Sequence, residues 1–191
     1  MRVMGVDPGL TRCGLGVIDA SSSRTVRLVA YRTASTPAGQ TTDRRLLQIA
    51  EAVGQWIELY QPDAVAIERV FARRDVDTVA GTMQVSGVAM VEAARRGVEV
   101  ALHTPTEVKA AVTGDGRAGK EQVSRMVMRL LRLEDKPRPA DAADALALAI
   151  CHAWRPLALS PLAEAATPAQ KAWVEASRAA TKRARQGWVT V

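Results

Sequence analysis

Near its start the chain reads RVMGVDPGLTRCGLGVIDA (residues 2–20), two mostly apolar segments joined by a short polar link. The first segment, RVMGVD, and the second, CGLGVIDA, each have the length and composition of a β-strand. The link between them puts Pro8 and Gly9 where a tight turn prefers these residues. So short a link returns the chain beside the strand it has just left, and the stretch therefore predicts two antiparallel strands.

Strands and helices alternate beyond this stretch. Residues 25–34, TVRLVAYRTA, predict a third antiparallel strand after another short link. Residues 63–68, DAVAIE, are almost wholly apolar, which is typical of a strand buried on both faces of a sheet. A fifth strand is predicted over residues 98–104, VEVALHT. Helical spacing and stop signals predict helices over 42–60, over 76–96, from Pro105, from Lys120 and over 139–150. This order of elements predicts an α/β fold.

Composition indicates a basic, soluble protein. The 191 residues include 26 Lys or Arg against 20 Asp or Glu, a net charge of +6 that suits a polyanionic partner. Cys13 and Cys151 have no metal-like spacing, which is typical of a reduced, intracellular chain. The chain reaches Asp7 before any apolar stretch long enough for a signal peptide, and no apolar run approaches a membrane span. We expect a cytoplasmic protein with no membrane contact.

The composition changes after Pro156. Residues 161–191 hold five Lys or Arg against Glu164 and Glu175, in an alanine-rich context. We therefore predict two parts, a folded domain over 1–156 and a basic C-terminal tail over 157–191. Thr167 and Pro168 could begin a helix in the tail, whereas its composition equally suits a solvated, disordered segment.

Two aspartates open the apolar helix PADAADALALAI, residues 139–150. At 100° per residue, Asp141 and Asp144 lie together on a face separate from the apolar one. Capping and the helix dipole explain one aspartate at a helix start well and a second one less well. His152 follows on the same helix, but about 12 Å further along the axis than Asp144. We expect His152 at the surface or packing behind the aspartates, not on a shared metal.

Two further acids end predicted strands. Asp7 ends the first strand and Glu68 ends the fourth. Asp is also a common turn starter before Pro-Gly, and a strand-end Glu can simply reach solvent. Ligands of open α/β sheets, however, gather at the carboxyl ends of the strands. The four acids could therefore converge on one site for a hard cation such as Mg²⁺, which takes oxygen ligands and offsets their repulsion.

Four motifs in this order resemble the RuvC family of bacterial Holliday junction resolvases, within the ribonuclease H and integrase superfamily. They are MGVDPGLTRCGLGVID, PDAVAIERVF, VKAAVTGDGRAGKEQV and PADAADALALAICHA. The resemblance spans residues 1 to about 155. It implies a ribonuclease H-like fold, with a five-stranded mixed sheet of three antiparallel strands and then two parallel ones, flanked by helices.

The resemblance also implies roles for individual residues. Asp7, Glu68, Asp141 and Asp144 match catalytic carboxylates that bind two Mg²⁺ ions, for which Mn²⁺ can substitute. Lys109 and Lys120 match basic active-site residues; Lys120 is expected to be catalytic, and both to contact DNA. Phe71 matches a residue that stacks at the junction, with a place in the core as the alternative. The neighbouring cations are candidate contacts to the DNA backbone, with a solvated surface charge as the alternative for each: Arg69, Arg73, Arg74 and Arg117.

The implied activity is resolution of Holliday junctions in recombination and repair, by paired symmetric nicks that leave 5′-phosphate and 3′-hydroxyl ends. A four-way junction is nearly two-fold symmetric, so we expect a homodimer. Following the family, the expected interface is the helix over 76–96, with Gly81, Met83, Ser86, Gly87 and Met90. Implied partners are the branch-migration proteins RuvA and RuvB. A ribonuclease cutting RNA in hybrids and a non-catalytic junction-binding protein remain alternatives.

Overall fold

The computed structural model of the protein describes residues 1–69 and 76–154. The strands are β1 (Arg2–Asp7), β2 (Arg12–Ala20), β3 (Val26–Ser35), β4 (Ala64–Glu68) and β5 (Glu99–His103). The helices are α1 (Thr42–Tyr60), α2 (Val76–Arg95), α3 (Pro105–Thr113), α4 (Lys120–Leu131) and α5 (Ala140–Trp154). Phe71, Arg73, Arg74 and the tail over 157–191 lie outside the described residues, so the expectations for them stay predictions.

The five strands form one sheet in the order β3-β2-β1-β4-β5. The pairs β1–β2 and β2–β3 are antiparallel, whereas β1–β4 and β4–β5 are parallel. The predicted sheet of three antiparallel and two parallel strands is therefore confirmed. None of the helices in the described ranges is long and apolar enough to cross a membrane.

Helix ends follow local signals in the sequence. Thr104 caps α3, accepting a hydrogen bond from the Glu107 amide at 3.2 Å, while the Glu107 carboxylate accepts one from the Thr104 amide at 2.7 Å. This reciprocal capping fixes the start of α3 at Pro105, as predicted. Gln61 ends α1 in the left-handed conformation, and Pro62 follows it.

The sheet is covered by helices on both faces. Val3, Ile18 and Ala66 pack in one apolar cluster with residues of α3, α4 and α5. Met4 and Ile67 belong to a second cluster, with residues of α1 and α2. Alternation along β1 thus sends side chains to opposite layers, as expected for a strand buried on both faces.

Helix α5 lies unusually close to β1 and β2 because glycines face it. A Cβ added at Gly5 would overlap the carbonyl group of Ala145, and one added at Gly14 would overlap the carbonyl group of Asp141. Any other residue at these two positions would push the helix outward. Close packing at Gly14 therefore fixes where the first turn of α5, with its aspartates, meets the sheet.

Helix α2 exposes only part of the expected interface. Gly81 and Ser86 are buried within the protomer and offer no surface to a partner, so the dimer interface itself stays a prediction. Met83 is 56% exposed and Val91 is 48% exposed. Gly87 lies between them at helical spacing, with no atom within 4 Å of an added Cβ. The outward stripe of α2 is therefore Met83, Gly87 and Val91.

Candidate active site

Asp7 and Glu68 stand at the carboxyl ends of the adjacent parallel strands β1 and β4, where Val6 pairs with Ile67. Burial raises the pKa of Asp7 to about 8, and the nearby carboxylates of Asp144, Glu68 and Asp141 add to the increase. Burial, and then Asp144, also raise the pKa of Glu68. The structure therefore brings all four sequence-predicted acids close enough to act on one another.

The two aspartates of α5 are paired with cations from other elements. Arg12 Nε, at the start of β2, lies 3.0 Å from Asp141 Oδ2. Lys120 Nζ, from the first turn of α4, lies 2.8 Å from Asp144 Oδ2. The hydrogen bond to Asp144 is the main cause of a raised pKa at Lys120. These pairs show that both carboxylates face other side chains across the site, which capping alone would not require.

A cleft of about 290 Å³ opens beside the strand ends. Its polar lining consists of the three acids Asp7, Glu68 and Asp144 and two lysines, Lys109 and Lys120. The rest of its lining comes from α3, α4 and α5: Pro105, Val108, Val123, Ala147 and Leu148. Acids and lysines thus share one open cleft whose walls are otherwise largely apolar, and such walls strengthen electrostatic interactions within it.

The donor set fits a hard divalent cation. Carboxylate oxygens are the ligands that Mg²⁺ and Mn²⁺ accept, and the raised pKa of Asp7 reflects burial first and then the neighbouring carboxylates, whose repulsion a bound cation would offset. Within residues 1–69 and 76–154, no three His, Cys, Asp or Glu side chains already stand where they could hold a metal ion together. In the structure Asp141 and Asp144 are each paired with a cation, Arg12 and Lys120 respectively.

The two described arginines of the predicted DNA-binding set lie outside the cleft lining. Arg69 is exposed directly after β4, and its backbone amide donates to the His103 carbonyl at 2.8 Å. Arg117 is exposed in the link between α3 and α4, with its backbone amide donating to Asp115 Oδ1 at 2.8 Å. Arg69 thus extends from the same sheet edge as Glu68, and the DNA contacts of both arginines stay predictions.

The surface position expected for His152 is wrong, whereas the packing alternative agrees with the structure. His152 is 3% exposed, and its Nδ1 lies 3.1 Å from Nε2 of the buried His103. Burial lowers the pKa of both rings, that of His103 to about 4. Helical spacing could have predicted the burial of His152, because His152 follows Ala145 by about two turns and shares its buried face.

Arg12 was missed by sequence reasoning. It follows the turn after Asp7, and nothing in its spacing relates it to an aspartate far along the chain. Only the close approach of α5 to β2 at Gly14 brings Asp141 within its reach. Arg12 lies two positions before Gly14, and this spacing indicates a contact with the start of α5 only once the packing of the helix on the strand is known.

Comparison with known proteins agrees with the fold. Residues 3–152 match the family model described as crossover junction endodeoxyribonuclease RuvC. A protein of that name from Paenarthrobacter aurescens is 53% identical over 96% of this chain and 98% of its own length. One from Nocardioides sp. is 60% identical, over 90% of this chain and 97% of its own length.

Solved structures point the same way. The structure of T. thermophilus RuvC in complex with a Holliday junction substrate superposes with a TM-score of 0.78 and 35% identity, covering 82% of this chain and 94% of that one. The yeast mitochondrial resolvase Ydc2, at 10% identity and a TM-score of 0.56, shares the fold. The chain belongs to the RuvC family of crossover junction endodeoxyribonucleases.

Proposed function

We propose that this chain is a structure-selective endodeoxyribonuclease that resolves four-way DNA junctions by paired nicks. The observation that carries the proposal is the convergence of Asp7, Glu68, Asp141 and Asp144 at one edge of the sheet, beside a cleft with two lysines. Family membership supplies the substrate class, because relatives across most of the chain are named crossover junction endodeoxyribonucleases.

The proposed reaction is hydrolysis of a phosphodiester to 5′-phosphate and 3′-hydroxyl ends. Two Mg²⁺ ions, or Mn²⁺ in their place, would supply an activated water and charge stabilisation at the leaving 3′ oxygen. Asp7 and Glu68, fixed on neighbouring strands, would provide the rigid half of the ligand set. Asp141 and Asp144 would complete it from α5, once each has left its present cationic partner.

The lysines are suited to the substrate phosphate. Lys120 Nζ already faces a carboxylate oxygen of Asp144 at 2.8 Å within the cleft, so release from that partner would free an ammonium group beside the reacting phosphate. There it would stabilise the charge that develops in the transition state. Lys109, on the opposite wall in α3, is placed to contact a flanking phosphate.

A homodimer fits both the substrate and the surface of the protomer. The outward stripe of α2 borders an apolar groove against α1 that is lined by Leu46, Leu47, Val88 and Val91 among others. Two copies joined through this surface would have two active sites related by a two-fold axis, as a symmetric junction demands. Partnership with RuvA and RuvB and a cytoplasmic location stay predictions from family resemblance and composition.

Cleavage of a labelled synthetic four-way junction tests the proposal. The purified protein is compared on the junction, on a linear duplex and on an RNA/DNA hybrid, in Mg²⁺ and in EDTA. Asp141→Asn removes one proposed ligand. Asp43→Asn is a matched control, because it neutralises a carboxylate that is 75% exposed in α1, away from the site.

We expect paired symmetric nicks in the junction alone, lost in EDTA and in Asp141→Asn but retained in Asp43→Asn. Junction binding should persist in Asp141→Asn. Cutting of the hybrid would instead indicate a ribonuclease that reads 2′-hydroxyls. Tight junction binding without cutting in any divalent metal would indicate a non-catalytic junction-binding protein and contradict the proposed roles of the carboxylates.

A further inference from the structure

Arg12 makes a contact at the active site to which neither the family resemblance nor the proposed chemistry gives a role. Its Nε donates a 3.0 Å hydrogen bond to Asp141 Oδ2, between residues 129 positions apart in the sequence. The Arg12 side chain is 59% exposed and that of Asp141 is 20% exposed. A largely solvent-exposed cation thus pairs with a mostly buried carboxylate that is fixed by its helix.

The pair is built by the packing of the backbone. Gly14 brings the start of α5 against β2, two residues from Arg12, so the aspartate is held in reach of the strand. Only the arginine has to be ordered for the pair to form. Because a guanidinium and a metal ion are both cations, Arg12 competes with the metal for the Asp141 carboxylate.

We propose that Arg12 is a positioning residue that occupies Asp141 until a divalent cation displaces it, and that it thereby lowers the affinity of the site for metal. This inference rests on the proposed function, in which Asp141 is a metal ligand. A carboxylate oxygen bonded to an N–H must give up that bond to approach Mg²⁺ at about 2.1 Å. Because the Arg12 side chain is exposed, it can turn into solvent when a metal binds. Its presence therefore reduces the affinity for metal only slightly.

The same competition at Asp144 cannot be isolated, because Lys120 lines the cleft and is also proposed to act on the phosphate. Arg12 is absent from that lining, so its effect on metal binding can be separated from its effect on chemistry. The predicted change is modest. An exposed ion pair of this kind supports roughly a two- to fivefold change in affinity.

Binding of Mn²⁺ without DNA tests the inference, followed by electron paramagnetic resonance of the free ion at fixed pH and ionic strength. Arg12→Ala should bind Mn²⁺ roughly two- to fivefold more tightly than the unmodified protein. Arg12→Lys, which keeps the charge, should lie between the two. Arg27→Ala is the matched control, since Arg27 pairs with Asp19 at the same 3.0 Å, at the opposite end of β2.

In a protein that also carries Asp141→Asn, Arg12→Ala should not change the affinity for Mn²⁺. This comparison separates competition at Asp141 from any other influence of Arg12 on metal binding. Unchanged or weaker Mn²⁺ binding by Arg12→Ala would overturn the inference, as would an equal gain in Arg27→Ala, which would show an effect of net charge alone. Absence of Mn²⁺ binding by the unmodified protein would overturn the proposed function itself. An unfolding midpoint in EDTA that matches the unmodified protein confirms that Arg12→Ala is folded.

Discussion

Replacement of Gly14 by alanine should displace the start of α5, which carries the proposed metal ligands Asp141 and Asp144. The added Cβ would lie 2.5 Å from the carbonyl carbon of Asp141 and closer still to its oxygen, whereas ordinary contact begins at 3.4 Å, so the helix start must retreat by at least about 0.9 Å. Overpacking of this kind costs about 1–3 kcal/mol of stability. A displacement of about 1 Å at a catalytic group can cost about 100-fold in rate. Gly14→Ala should therefore lower both the free energy of unfolding and junction cleavage.

Urea unfolding followed by circular dichroism measures the first effect, and single-turnover cleavage of a labelled junction measures the second. Gly39→Ala is the control, because no atom lies within 4 Å of its added Cβ. Gly5→Ala, whose Cβ would lie 2.9 Å from the carbonyl carbon of Ala145, should destabilise the fold similarly. Unaltered stability together with unaltered cleavage in Gly14→Ala would refute the claim that this contact positions the aspartates.

Four further changes probe the site and the surface. Lys120→Ala should slow cleavage by about 100-fold while junction binding in EDTA falls much less, because the lysine acts mainly on transition-state charge. Between pH 6.5 and 4 the unfolded chain binds more protons at His103, whose folded pKa is about 4, so the free energy of unfolding should fall by up to about 3 kcal/mol as the pH is lowered. The difference between the unmodified protein and His103→Asn in urea unfolding at pH 7 and pH 4.5 isolates this contribution. Gly87→Trp should weaken the dimer in sedimentation without unfolding the protomer, and an unchanged dimer would exclude this stripe as the interface. Asp7→Asn should abolish cleavage yet raise the free energy of unfolding in EDTA at pH 8 by about 1–3 kcal/mol, because the raised folded pKa makes ionised Asp7 unfavourable above pH 4.

The strands and their terminal acids could be predicted because both depend on local pattern. A nearly all-apolar run that ends in Glu68 predicts a buried parallel strand, and it also predicts that Glu68 lies at the carboxyl end of that strand. Asp141 and Asp144 share a helix face by their spacing alone. The rule that ligands gather at strand ends predicts that distant acids meet at one edge, and in the structure Glu68, Asp141 and Asp144 lie close enough to Asp7 to raise its pKa.

The partners of these acids depend on tertiary packing and could not be predicted. Arg12 reaches Asp141 only because Gly14 admits the helix to the strand, and no pattern near Arg12 in the sequence encodes that approach. His103 and His152, 49 positions apart, meet because β5 and α5 pack together. The buried face of α2 likewise depends on tertiary packing, so it could be assigned only once the positions of the neighbouring elements were known.

The electrostatics of the site connect its stability to its chemistry. The raised pKa of Asp7 shows that ionising its carboxyl group costs free energy in the folded chain. The acids cannot relieve it by moving apart, because contacts at Gly5 and Gly14 hold α5 against the strands. Arg12 and Lys120 offset only part of it, since their side chains are 59% and 71% exposed and exposed ion pairs contribute little. A divalent cation would neutralise the negative charge that remains. Folding costs free energy because it brings these carboxylates together, and binding of the metal on which cleavage is proposed to depend would recover that free energy.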